Sequence, residues 1–307
     1  MTDLHALLAR HGIPADELAW LGEGEDNTAY TAGDLVIRLA KRANGSESRD
    51  AAAHDATAPV DRDVAAPVDR DVAAAVRRDA AVLLAVADLL AAAHVPLAIP
   101  TPLVVDPDAG LLVYRKVPGT PMRWADQPLG DSAEAVAAML SALHNAPAAE
   151  LGAIAGVDDD TPDDWLAEAV ESYPAIAPVL TAAQRRAVEA FLAAEPPPVG
   201  TPLVFSHNDL GAEHLLADGG TVVGVIDWTD ASVSDPARDF SRLHRDFGPA
   251  THDAVLQHYQ GPYGPADAER TRFFARCGLL EDAAYGLRTG ADAYLRAALA
   301  SFPHTFD

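Results

Sequence analysis

The tightest constraint on this chain lies between Ser206 and Asp239. There Asp218-Gly219-Gly220 stands between two apolar runs, Leu215–Ala217 and Val222–Ile226. Paired glycines after an aspartate suit the positive φ angles of a tight hairpin turn, so the segment predicts two short antiparallel strands, 214–217 and 221–226. A hairpin centred on Gly219 and Gly220 sets His214 opposite Val225. Asp227, two residues on and of the same parity, is then the diagonal neighbour on the same face, about 7–8 Å away between backbones. That spacing lets His214 and Asp227 grip one cation. Asp209 precedes the hairpin at its open end, so three polar groups converge from one stretch of chain.

Carboxylates and one imidazole around a divalent ion suit phosphoryl transfer. The metal offsets phosphate charge while a separate carboxylate takes the hydroxyl proton. Two other readings fit the same residues: a hairpin decorated with solvated acids, and a metal-dependent hydrolase built on His207, Asp209 and His214.

Charge narrows the classes of partner. Asp and Glu number 46 against 22 Lys and Arg, a formal net charge of −24. Nucleic-acid binding rests on cationic contacts to phosphate, and anionic membrane surfaces repel such a chain as well. The expected partners are therefore neither nucleic acid nor membrane but small molecules, cationic ones above all. The single cysteine, Cys277, leaves no intrachain disulfide and reads as a small buried apolar residue. Met1–Arg10 has no basic leader followed by an apolar stretch, and a cytoplasmic location is expected. Ala80–Ile99 imitates a membrane span, but Asp88, His94 and Pro96 interrupt it, so a buried helix of a soluble fold is expected.

Along the chain, Thr2–His11 reads as a helix with Leu4, Leu7 and Leu8 on one face and Gly12 as its stop. Gly33-Asp34 joins two β-type runs, Ala29–Thr31 and Leu35–Leu39. Residues 41–73 are polar and repetitive. The octad Ala58-Pro59-Val60-Asp61-Arg62-Asp63-Val64-Ala65 recurs as Ala66–Ala73, and the stretch reads as a flexible insertion. A helix is expected from about Val72 to Ala93, then strands at 103–105 and 111–116. Helices are expected at 131–144, 162–172 and 181–194, strands around the hairpin, and a helical tail from Asp235. Pro118-Gly119 punctuates the change, which predicts two lobes, 1–116 and 117–307.

His207-x-Asp209-x4-His214, then Ile226-Asp227-Trp228, then Asp235-Pro236-x-x-Asp239, resembles the signature of the antibiotic phosphotransferases. These are the aminoglycoside and macrolide kinases, relatives of the protein kinases. The resemblance implies an α+β, two-lobed protein-kinase-like fold with a β-rich N-terminal lobe for nucleotide and a helix-rich C-terminal lobe for catalysis and acceptor. It implies Asp209 as the base that orients the acceptor hydroxyl. Asp227 and His214 become the ligands of a Mg2+ (or Mn2+) ion, with His207 and Asp239 bracing the catalytic loop. In the N-terminal half, Leu21-Gly22-Glu23-Gly24-x-x-Asn27 resembles the nucleotide-covering loop, so Gly24 and Asn27 are expected at the cofactor. Arg38 stands where a basic strand residue meets phosphate, and Asp79 where a helix acid pairs with it. Val113–Gly119 resembles the hinge that holds the base, with Val113 and Val117 as its contacts. The nucleotide is ATP or GTP.

Two residues depart from the aminoglycoside kinases. They carry Asn where this chain has His214, and an imidazole there is more like the macrolide kinases; Asp79 is one methylene shorter than the usual Glu. The acceptor-side lobe is rich in acids: Asp158-Asp159-Asp160, Asp163-Asp164, Asp230, and Glu281-Asp282. An acidic floor, with Asp230, Glu281 and Asp282 as acceptor contacts, suits a polycationic antibiotic, either an aminoglycoside or a tuberactinomycin-type peptide, whose O-phosphorylation confers resistance. A macrolide is the alternative, with Leu279, Leu280, Tyr285 and Tyr294 as an apolar wall. A kinase-fold protein that binds nucleotide or drug without catalysis is the second alternative.

Overall fold

Helix α1 (Leu4–Arg10) buries Leu4, Leu7 and Leu8, the face their three- and four-residue spacing predicts, and gives way to Gly12 at φ +69°. In the computed structural model, which describes residues 4–14, 17–24, 27–41, 70–122 and 129–306, those leucines pack on one face of a five-stranded antiparallel sheet. Its strands are β1 (Leu18–Glu23), β2 (Asn27–Ala32), β3 (Leu35–Ala40), β4 (Pro102–Asp106) and β5 (Leu111–Arg115), in the order β1-β2-β3-β5-β4. Ala32 pairs with Leu35 across the expected Gly33-Asp34 turn, where Gly33 takes φ +59°. Tyr30, Ile37, Leu111 and Val113 point into the core beneath α1.

Helix α2 (Arg70–Ala92) precedes β4. It buries Val72, Ala73, Val76, Ala80, Leu83, Val86 and Leu90 along one stripe. The helix starts at Arg70, two residues before the expected start, so the end of the stretch read as a flexible insertion forms its first turn. Alanine-rich chain followed by valines at helical spacing extends the helix back into the second octad. The rest of the insertion, residues 42–69, lies outside the described residues.

The chain divides into two compact units, Met1–Ala87 with Ile99–Val117, and Asp88–Ala98 with Pro118–Asp307. The second begins its strands with β6 (Thr120–Pro121) and continues through α3 (Ala133–His144), α4 (Ala148–Ala155), α5 (Pro162–Ile176) and α6 (Ala182–Leu192). Thr161 and Thr181 start α5 and α6 with capping boxes to Asp164 and Gln184. Strands β7 (Val204–Ser206), β8 (Leu215–Asp218), β9 (Thr221–Val225) and β10 (Ser232–Ser234) follow. The chain ends in α7 (Ala237–Phe247), α8 (Pro249–His258), α9 (Pro265–Thr289) and α10 (Asp292–Phe306). Phe273, Phe274, Leu279, Leu280, Ile176 and Phe302 are in the helical core, and Cys277 is buried there as expected. Leu279 and Leu280 are thus core residues rather than an acceptor wall. Among the described residues, no helix is long and apolar enough to cross a membrane.

The hairpin forms with Asp218 opposite Thr221, but its register differs from the expected one. A bulge between Leu216 and Ala217 sets Leu215, not His214, opposite Val225. One extra residue on β9 re-aims everything beyond it. His214 falls just before β8, in a short 3-10 turn over Ala212–His214, and its carbonyl accepts the N–H of Ile226 at 3.0 Å.

Candidate active site

The loop from His207 to Gly211 leaves β7 and reaches the 3-10 turn that carries His214. Asn208 takes φ +68°, a conformation asparagine tolerates better than most residues. Its amide is fully engaged: Nδ2 donates to the Asp230 carbonyl (2.9 Å) and to Ser232 Oγ (2.7 Å), and Oδ1 accepts from Ser234 Oγ. Asp239, in the first turn of α7, accepts the N–H of His207 at 3.1 Å and that of Asn208 at 2.7 Å. His144 of α3 donates from Nε2 to the same carboxylate at 3.1 Å, and its Nδ1 faces Tyr259 Oη at 2.7 Å.

His207 is wholly buried. Its Nε2–H donates to the Ile226 carbonyl (3.0 Å) and its Nδ1 accepts the N–H of Asp209 (3.2 Å). Both nitrogens are therefore occupied in the neutral form. Burial pushes the imidazole's pKa down, with Asp239 opposing, and so favours that form.

Asp209 has Oδ1 3.1 Å from Nη2 of Arg242 and Oδ2 3.3 Å from Nδ1 of His214. Burial would raise this carboxyl, but Arg242 above all, with His214 and Arg245, outweighs it and holds the pKa at about 2. Nδ1 of His214 lies closer still to the Asp209 carbonyl, at 2.7 Å. Its proton is thus directed to the main chain, which leaves Nε2 as the ring's lone-pair nitrogen. That atom faces Asp227 Oδ2 at 3.8 Å, too long for a hydrogen bond. Asp227 takes φ +60°, is 48% exposed, and accepts from Thr229 Oγ1 at 3.0 Å. The carboxylates of Asp209 and Asp227 outweigh the effect of burial on His214 and raise its pKa.

The His214–Asp227 pair fits a divalent cation that brings other ligands with it. Among the described residues, no group of three or more His, Cys, Asp or Glu side chains could hold a metal alone. Mg2+ in nucleotide sites takes one or two carboxylates and completes its shell with phosphate oxygens and water. Asp227 meets that requirement, whereas the imidazole of His214 suits a softer divalent ion better than Mg2+.

Asp230 stands three residues after Asp227, between β9 and β10, where desolvation and the Asp209 and Asp227 carboxylates push its pKa up to about 6. Asp282 of α9 has another role than the expected acceptor floor alone. It lies 2.8 Å from Arg245 and 3.7 Å from Arg242, both on α7. Arg245 Nε also donates to Asp246 at 2.6 Å, and Asp246 accepts the N–H of Ala212 at 2.8 Å. Glu281, next to Asp282, is exposed. Two of the acids at 158–164 have structural roles: Asp158 binds the buried Arg238, which also donates to the Asp160 carbonyl, and Asp164 completes the cap of α5.

The expected cofactor contacts fall in the other unit. Gly24 donates its N–H to the Asn27 carbonyl at 2.9 Å, closing the turn between β1 and β2. Arg38 stands on β3 opposite Ala29 and Leu112, and Asp79 on α2 lies 3.2 Å from Arg78. Val117 is buried. Val113 is fully buried in the core under α1, so its side chain is not a surface for a nucleotide base.

Four site residues escaped the reading of the sequence: Asn208, His144, Arg242 and Arg245. Spacing alone places Arg242 on the α7 face that carries Asp239, without showing what it meets. Asp239, Arg242 and Asp246 recur at three- and four-residue spacing, which puts them on one face of α7.

The chain belongs to the APH phosphotransferase enzyme family, whose model matches residues 21–274. It is accordingly a kinase-type phosphotransferase. It is 27% identical over 198 residues to a viomycin phosphotransferase of Streptomyces vinaceus, covering 62% of this chain and 69% of that protein. It is 31% identical over 105 residues to YcbJ, an uncharacterised protein of Bacillus subtilis, a match that covers 33% of this chain and only 34% of that protein. Among solved structures, it resembles the macrolide 2'-phosphotransferase MphH of Brachybacterium faecium (TM-score 0.61, 23% identity, 97% of this chain and 96% of that one). It also resembles the GDP complex of aminoglycoside 2'-phosphotransferase-IIIa (TM-score 0.68, 20% identity, 99% and 98%). At these identities the solved structures establish the protein-kinase-like fold.

Proposed function

We propose that the enzyme transfers the γ-phosphate of ATP or GTP to a hydroxyl of a polycationic antibiotic, with Asp209 as the group that receives that hydroxyl. The observation that carries this reading is the Asp209 carboxylate, ionised and held in place on a braced loop. A carboxyl with a pKa of about 2 is a weak proton acceptor in the ground state. Its first task is therefore to orient the hydroxyl by accepting its hydrogen bond. In a loose transition state little proton transfer is needed before the bond to phosphorus forms, so a weak base suffices. Asp227 and His214 Nε2 would hold the divalent ion, which supplies charge neutralisation on the nucleotide phosphates. Arg38, Gly24 and Asn27 are the proposed nucleotide contacts of the first unit.

A cavity of about 340 Å³ supports the cationic acceptor. Three acids, Glu213, Asp246 and Asp282, and two arginines, Arg245 and Arg296, line it, together with Tyr294. Asp246 and Asp282 are matched by Arg245, whereas Glu213 forms no ion pair among the described residues. Glu213 is thus the acid of the wall that offers its charge to an incoming ammonium group. The similarity to a viomycin phosphotransferase supports an antibiotic as the acceptor. The apolar part of the same wall, with the imidazole at position 214, favours a macrolide as the second reading.

Nucleoside-triphosphate consumption by the full chain, run with Mg2+ or Mn2+ against a panel of aminoglycosides, tuberactinomycin-type peptides and macrolides, tests this. Turnover that depends on a polycation, with a product one phosphate heavier by mass spectrometry, is expected. Turnover with macrolides alone would move the reading to the second acceptor class. Nucleotide binding without transfer to any of them would contradict both.

A further inference from the structure

Asp209 sits on a loop whose backbone is fixed at His207 and Asn208, but that bracing does not set the direction of its carboxylate. Two side chains reach it. His214 Nδ1 carries a single proton when the ring is neutral, and its shorter contact, 2.7 Å, is with the Asp209 carbonyl rather than with Oδ2 at 3.3 Å. The remaining hold is Arg242 Nη2 on Oδ1 at 3.1 Å.

Arg242 is itself fixed from behind. Its other terminal nitrogen, Nη1, faces Asp282 at 3.7 Å. A Cβ at Gly278, one helical turn before Asp282 on α9, would stand 3.7 Å from Arg242 Nη1 and 3.4 Å from Arg245 Nη1. These are ordinary contact distances, so the two guanidinium groups lie against the surface of α9 at Gly278 without requiring glycine there. A guanidinium is planar, permanently charged and rigid in its fork, so one that spans two carboxylates transmits the position of α9 to Asp209.

We propose that Arg242 is a positioning residue that sets the orientation of the Asp209 carboxylate, and that Asp282 of α9 sets Arg242 in turn. The inference rests on Asp209 as the group that receives the acceptor hydroxyl. Both terminal nitrogens of Arg242 face carboxylates, which separates this role from that of a phosphate-binding arginine.

Steady-state kinetics on the full chain, for Arg242→Met, Arg242→Lys, Asp209→Asn and the Arg242→Met/Asp209→Asn pair, test it together with a crystal structure of Arg242→Met. Loss of orientation should lower kcat by on the order of 100-fold in Arg242→Met, with the nucleotide KM within about twofold of wild type. Arg242→Lys should recover part of the loss, because an ammonium can still donate to Oδ1. In the Asp209→Asn background, Arg242→Met should cost no further activity, since there is no carboxylate left to orient. The crystal structure should show the Asp209 carboxylate in a different rotamer. A rise in nucleotide KM with kcat preserved, fully multiplicative losses in the pair, or an unmoved Asp209 would each overturn the proposal. If Arg242→Met does not fold, Asp282→Asn carries the same structural test from one contact further out. Should wild type transfer phosphate to no acceptor, the reading of Asp209 fails, while the rotamer in the variant crystal still decides whether Arg242 positions it.

Discussion

The carboxylate of Asp239 accepts the backbone N–H of Asn208 at 2.7 Å, so a side chain on α7 fixes the path of the chain one residue before Asp209. The same carboxylate takes the N–H of His207 and the Nε2–H of His144, and it is completely buried. Removing it strands three donors in the interior. Asp239→Ala should therefore cost about 3–5 kcal/mol, the range for breaking a buried charged network by deleting one partner. Asp239→Asn should cost less, because its one remaining carbonyl oxygen can still serve one backbone donor. Urea unfolding of the three proteins, followed by circular dichroism, measures both.

The octads make a second prediction, unusual in that two deletions produce one protein. Residues 58–65 and 66–73 are identical, so removing either copy yields the same chain, with Arg-Asp-Val-Ala still leading into α2. That deletion should leave the melting temperature within a few degrees. Removing both copies brings Ala56 and Thr57 to the places of Val72 and Ala73, both buried. Two lost methyl groups at position 72 alone correspond to about 1.6 kcal/mol. Thermal denaturation that shows equal stability for the single and double deletions would mean that the buried start of α2 contributes nothing.

A third prediction concerns pH. His244 on α7 is buried beside His252 and His304, at ring separations of 5.5 and 6.3 Å. Burial above all, then the neighbouring histidines, lowers its pKa from 6.5 to about 4. The unfolded chain takes up this proton near pH 6.5 and the folded chain only near pH 4. The contribution to stability is thus fully present above 6.5 and is lost as pH falls from there towards 4. His244→Gln removes the titrating group. Its unfolding free energy should fall less steeply between pH 6.5 and 4 than that of wild type, as read by denaturant melts across the window. Parallel slopes would show that His244 is not the group responsible.

Much of the site was readable from residues 206–239, because a tight turn and a short motif act locally. The paired glycines specified a hairpin, and Asp209, His214 and Asp227 do converge. The route differs from the one the sequence suggested. A bulge between Leu216 and Ala217, which no residue type announces, moves the register by one. The positive φ of Asp227 then aims its carboxylate at His214.

What stayed hidden depends on tertiary contact. Arg242 and Arg245 look like ordinary charges of an amphipathic helix until α9 presents Gly278 and Asp282 to them. Asp158 looks like a surface acid until the buried Arg238 meets it across 80 residues of chain. Val113, placed by resemblance at the nucleotide, proves to be core because three leucines of α1 cover that face of the sheet.

The central claim is that Asp209 receives the acceptor hydroxyl while the nucleotide is held elsewhere. The most direct measurement compares turnover and nucleotide affinity in wild type and Asp209→Asn, using the acceptor that supports transfer. The amide keeps the size of the side chain and a carbonyl oxygen but loses its charge and basicity. Turnover should fall by about 10²–10⁴-fold, with the nucleotide dissociation constant, measured by calorimetry, within about twofold of wild type. A variant that keeps more than about a tenth of wild-type turnover, a loss smaller than general-base catalysis contributes, would contradict the account.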